Sequence, residues 1–172
     1  SEMYEILVTH IALGTPGAEN YSRMLLEDLQ NAPPSRGLRL LWLHALPNWM
    51  EPLQALFRED GRCQIITDDL NFDALVDMDP EKPYESMARR LVYNIMNGPI
   101  EDRIDKIEEV CRITEIDGVI SFLNWGCKQT AGAAVALKAR LEAAGFPTLI
   151  VNGDCCDRNN VSEGQIMTRM NA

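Results

Sequence analysis

From Leu38 onward the chain alternates short, continuous apolar runs with longer segments whose apolar residues recur every three or four positions. Leu38–Ala45 (LRLLWLHA) reads as a buried strand, and WMEPLQALFRED as the helix that follows it. Cys63–Thr67 (CQIIT) reads as a second strand, GVISFL after Asp117 as a third, and Thr148–Asn152 (TLIVN) as a fourth. Between the second and third strands, the acidic loop DDLNFDALVDMDPEKP leads into two helical segments parted by Asn97-Gly98-Pro99. In the second of these, Ile100, Ile104, Ile107 and Cys111 step by four, three and four, which places them on one helical stripe. Ala134, Leu137, Leu141 and Ala144 form a similar stripe in a helix from Lys128 to about Ala144, and Gly145-Phe146-Pro147 stops it.

Strands that are apolar throughout, each followed by an amphipathic helix, are buried on both faces. The pattern predicts an α/β fold, a doubly wound (Rossmann- or flavodoxin-like) parallel sheet of four strands in the order 2-1-3-4. The two ends fit this unit less well. Residues 1–36 carry no clear strand, and Tyr21, Leu25 and Leu29 suggest one helix ending near Pro33-Pro34. That stretch is expected to be a helical segment from a preceding domain, with residues 37–172 forming the α/β domain. SEGQIMTRMNA begins as a helix with Ser162 as its N-cap and has no closing signal. The chain is therefore expected to be a piece of a longer subunit.

Composition narrows the classes of function. Hydrophobic residues make up 46% of the 172 and charged residues 24%, the balance of a globular rather than a disordered chain. No apolar run reaches the roughly 18 residues of a membrane span, and the first residues lack the basic and small-residue signals of a secretory leader. A net charge of −10 argues against nucleic acid as a partner, although one local site can differ in sign from the whole. The five cysteines are odd in number, which together with the chain's size points to reduced thiols and a cytoplasmic setting. The absence of CxxC and HExxH argues against a self-contained zinc site. No GxGxxG follows the first strand, so nothing supports a flavin or nicotinamide.

Doubly wound sheets bind ligands outside the carboxyl ends of their strands. Four loops meet there: His44, Asn48 and Trp49; Asp68, Asp69 and Asn71; Asn124 through Gln129; and NGDCCDRNN over 152–160. They concentrate Trp, Cys, Asn and Asp beyond what a solvent-facing edge needs, which marks a site. Simpler readings cover several members. Cys111 sits on an apolar stripe and Cys63 opens a buried strand, so both suit core packing. Cys155 and Cys156 are adjacent, so their side chains are not expected to face one centre. His44 closes a strand, where capping backbone groups is the simpler role, and His10 is assigned none. Asp68-Asp69 could bind a metal, but a loop-capping pair is simpler.

Cys127 differs from these. A helix amino-terminus and the adjacent Lys128 favour its thiolate, the form needed both for nucleophilic attack and for iron ligation. Gly126 permits a positive φ or the close approach of a bulky group. From the residues alone, metal ligand, nucleophile and packing residue all remain open. A nucleophile would need a base, and His44 is the sole local candidate, as in a Cys–His hydrolase.

Several of these segments together carry a resemblance: NGPIEDRI, the strand ending in WGCKQ, the GD-C-D turn, SEGQIMTRM, and upstream LRLLWLHALPNWMEPL with CQIITDDLNFD. The chain resembles the carboxy-terminal domain of the 2-hydroxyacyl-CoA dehydratase family, which includes subunits of 2-hydroxyglutaryl-CoA dehydratase and benzoyl-CoA reductase. The likeness is close over about residues 36–172 and looser before. It implies a subunit of an oxygen-sensitive iron–sulfur lyase of anaerobic chemistry, paired with a homologous second subunit. An ATP-dependent iron–sulfur activator would deliver one electron. Water would then leave an (R)-2-hydroxyacyl-CoA through a ketyl radical, giving a 2-enoyl-CoA. By this resemblance Cys127 falls on the cysteine that the carboxy-terminal domain contributes to a 4Fe–4S cluster. His44, Trp49, Asn124, Trp125, Gly126, Lys128, Gln129 and Asp154 would line the site, with Trp125 shielding the cluster and Asp154 shaping its loop.

The departures matter equally. The family's other cluster cysteines lie in amino-terminal domains, and Cys63, Cys111, Cys155 and Cys156 do not match them. Asn124 stands where many relatives carry His. The isolated chain is therefore expected to hold no intact cluster and to be inactive alone. A benzoyl-CoA reductase-like subunit, or a non-catalytic ligand- or protein-binding domain on the same fold, are the other readings.

Overall fold

The continuous apolar runs become the strands of one parallel sheet: β1 (Leu38–Leu43), β2 (Cys63–Asp68), β3 (Gly118–Asn124) and β4 (Thr148–Gly153). Their order is β2-β1-β3-β4, as the sequence predicts. The computed structural model describes residues 14–33, 37–47, 49–58 and 62–171. His10, Asn48, the Pro34 end of the first expected helix and residues 59–60 of the second lie outside them.

Six α-helices accompany the strands among the described residues: α1 (Pro16–Asn31), α2 (Glu51–Arg58), α3 (Pro83–Val92), α4 (Ile100–Ile113), α5 (Lys128–Ala143) and α6 (Glu163–Asn171). No helix among the described residues is long and apolar enough to cross a membrane. The acidic loop after β2 holds a short 3-10 turn over Asp69–Leu75, because Asp68 caps it by accepting from the N–H groups of Leu70 and Asn71.

Side chains alternate across the pleated sheet, and each face buries its own core. Leu41, Leu43 and Val119 pack with Ile104, Ile107 and Cys111 of α4 and Leu137 and Leu141 of α5. Trp42, Ile120, Phe122 and Val151 take the opposite face with Met50, Leu53 of α2 and Ile166 of α6. Each such apolar side chain contributes roughly 2 kcal/mol by leaving water. Trp42 stacks on Phe122 with ring centroids 6.0 Å apart. Gly153 is required beside this pair, since a Cβ there would stand 2.9 Å from the Phe122 ring.

The predicted stripes are therefore core, with one exception. In α1, Thr15 caps the helix, but Tyr21 and Leu25 are only half-buried and Leu29 is exposed. The strand predicted to reach Ala45 stops at Leu43, because His44 turns into the left-handed region at φ 74°.

Candidate functional site

β1 is hydrogen-bonded to both β2 and β3, so the chain winds in opposite directions from the β1–β3 pair. At such a switch point the loops leaving the two strands diverge and open a crevice. His44 leaves β1 there, and Asn124 to Cys127 leave β3.

The β3–α5 turn is built on Gly126, whose φ of 82° reverses the chain, and the Cys127 N–H donates to the Asn124 carbonyl at 3.1 Å. Cys127 thereby becomes the N-cap of α5, and its carbonyl accepts from the Ala131 N–H at 3.1 Å and the Thr130 hydroxyl at 3.2 Å. The half-buried sulfur makes no full capping bond, yet donors of the first helical turn lie near enough to favour its anion. The Thr130 N–H, then its hydroxyl, hold the thiol below its ordinary value against desolvation, with the Gln129 N–H and the Arg103 charge adding smaller contributions. Thus a cation from α4 contributes, while the adjacent Lys128 is exposed. The other shifted thiols move the opposite way. Burial pushes Cys111 up to about 12, and burial with the neighbouring Cys156 pushes Cys155 up to about 11.

Behind this turn lies a buried polar cluster. Arg103 Nη2 donates to Asp69 Oδ2 at 2.7 Å and to His44 Nδ1 at 2.9 Å. Asp69 Oδ1 accepts the His44 backbone N–H at 2.7 Å, which holds the positive φ. An arginine can only donate, so the ring nitrogen that pairs with Arg103 accepts, as a neutral imidazole can. Burial, outweighing the Asp69 charge and helped by Arg103, lowers His44 to about 4, so the ring is neutral at pH 7. Burial, with Asp69 next in importance, raises Asp68 to about 6.

The loop after β4 docks on the same edge. Asn124 Oδ1 accepts the Cys155 N–H at 2.8 Å, and the Trp125 N–H donates to Gly153 O at 2.9 Å. Trp49 Nε1 donates to Cys155 O at 3.0 Å under the Arg158 guanidinium. Asp154 organises its own turn by accepting from Cys156 N, Asp157 N and Asn160 Nδ2. Contrary to expectation, adjacency does not part Cys155 and Cys156, whose sulfurs lie 3.5 Å apart.

The sequence profile of the family described as 2-hydroxyglutaryl-CoA dehydratase, D-component, matches residues 1–172, the whole chain. This chain belongs to that family. No curated protein matches the chain in sequence.

The dehydratase-family motif thus places Cys127, Asn124 and Gly126 in one turn, with Trp49 and Asp154 in loops tied to it through Cys155. Trp125 is exposed, and Gln129 Nε2 donates to Met96 O at 2.8 Å. His44 does not join the thiol. Its ring is held by Arg103 and Asp69, and no hydrogen bond links it to Cys127 among the described residues. The Cys–His pairing is therefore not formed. Asp68 is a cap as expected, but Asp69 is an ion-pair partner. Arg103 escaped the sequence reading, although a signal existed: it stands three residues after Ile100 and four before Ile107, a core slot of α4.

Proposed function

We propose that this chain is a domain of a 2-hydroxyacyl-CoA dehydratase subunit in which Cys127 supplies one thiolate to a 4Fe–4S cluster. Family membership supports a dehydratase component. The observation that carries the ligand role is the Cys127 thiol itself, half-buried at a helix amino-terminus and shifted toward its anion. A soft thiolate is the ligand such iron prefers. A Cβ added at Gly126 meets nothing within 4 Å, so the space beside the turn is open. Among the described residues, no group of three or more His, Cys, Asp or Glu is placed to hold a metal. In this reading the remaining ligands belong to other parts of a longer subunit.

When bound, the cluster would supply one-electron chemistry for removing water from a 2-hydroxyacyl-CoA to give the 2-enoyl-CoA. This chain's residues hold and tune that position. Thr130 and Gln129 stabilise the anionic sulfur, Arg103 adds positive potential, and Asn124 fixes the turn against the β4 loop. Exposed Trp125 would become a shield against solvent. A homologous second subunit and an ATP-dependent iron–sulfur activator complete the proposed assembly.

The test is anaerobic purification of the full-length subunit, with iron and sulfide assays and electron paramagnetic resonance. Cys127→Ala is expected to lose the 4Fe–4S signal and most of the iron. A full signal in that variant would overturn the ligand assignment.

A further inference from the structure

A cavity of about 220 Å³ opens between the 95–103 stretch and the first turns of α5. Its lining differs from the rest of the molecule in charge. Arg103 and Lys128 both border it, and none of the described residues lining it carries a carboxylate, in a chain whose net charge is −10. Arg103 is only 2% exposed, and its Nε and Nη1 have no hydrogen-bond partner among the described residues. Its Nη2 is already committed to Asp69 and His44. Arg103 is part of the cavity wall and its guanidinium is not fully paired, so its charge favours an anion on that side. The first turn of α5 adds the positive end of a helix and contains no acidic residue.

The remaining wall is largely apolar, including Ile95, Ile100 and Ala133. We infer that this cavity binds a small carboxylate on a short apolar body, its oxyanion toward Arg103 and Lys128. The volume lies below the roughly 300–1,000 Å³ of sites for drug-sized ligands, so the occupant is a fragment-sized acid. A phosphate would satisfy the same donors but would leave the apolar wall unused. The site needs no iron and stands whether or not Cys127 is a cluster ligand.

The 172-residue chain can be titrated with butyrate, butyramide and inorganic phosphate, following the backbone amide resonances of Gly98, Gln129 and Gly132. Butyrate is expected to give saturable shifts, with the uncharged amide and phosphate each binding at least about tenfold more weakly, a gap on the order of 1.4 kcal/mol. Lys128→Gln, at an exposed position, is expected to weaken butyrate about threefold, as loss of a rim charge does. Ala136→Leu fills the cavity from an exposed helical position and is expected to abolish the shifts. Both variants leave the buried Arg103–Asp69 pair in place, so folding does not confound them. The inference is overturned if butyrate gives no saturable shift, if butyramide or phosphate matches it, or if either variant binds as the parent does.

Discussion

Arg103 Nη2 lies 2.7 Å from Asp69 Oδ2 with both side chains buried, so one ion pair fastens α4 to the turn after β2. The same carboxylate accepts the His44 N–H. Asp69 therefore couples a helix, a strand end and a left-handed residue at the crevice.

Removing that carboxylate's charge strands the guanidinium in the core. Asp69→Asn is expected to cost about 3–5 kcal/mol, the usual penalty for breaking a buried pair from one side. Arg103→Met in the Asp69→Asn background should cost less than the two single changes added together. Urea unfolding of the four proteins measures both quantities.

Stability should vary little with pH across the mildly acidic range, because two buried groups oppose each other. His44 falls from 6.5 to about 4, so the unfolded chain takes its proton first. Its contribution is complete above about pH 6.5 and is lost between there and about pH 4. Asp68 rises from 3.8 to about 6, so the folded chain takes that proton first and gains stability over nearly the same fall in pH. Each effect is on the order of 3 kcal/mol. Asp68→Asn mimics the protonated side chain and removes one arm. Denaturation from pH 7 to pH 4 should then show a loss of that order, where the parent shows little.

The thiols should react in an order set by the fold. Cys127 is expected to be alkylated at a lower pH than Cys155, with Cys111 last because it is buried and pushed up to about 12. Thr130→Val removes the hydroxyl but keeps the N–H, so the Cys127 rate profile should move to higher pH without vanishing. Peptide mass spectrometry after timed iodoacetamide exposure reads each site.

Two glycines of the site should fail for different reasons. Gly126→Ala meets open space and pays only for its positive φ, about 1–2 kcal/mol, with Gly126→Asn milder. Gly153→Ala drives a methyl into Phe122, which forces repacking at about 1–3 kcal/mol. Thermal unfolding should separate them further in the double variant Gly153→Ala, Phe122→Leu, which recovers part of the loss.

The sequence by itself determined the four strands, their parallel order, the core stripes of α4 and α5, and Cys127 at a strand-to-helix turn. The strands, stripes and turn follow from local periodicity and turn chemistry, written in neighbouring residues, and the order follows from the doubly wound fold that they imply. Sequence also identified Asp68 as a cap, since a cap acts on N–H groups two and three positions away. Only the tertiary structure decided that His44 faces Arg103 and Asp69 instead of the thiol, and that Arg103 contributes to the thiol's shift. Residues 44, 69 and 103 meet because β1 lies beside β2 and α4 packs over that face, and no local pattern specifies such a meeting. A strand register and a helix rotation had to be fixed first, and packing across the whole sheet fixed them.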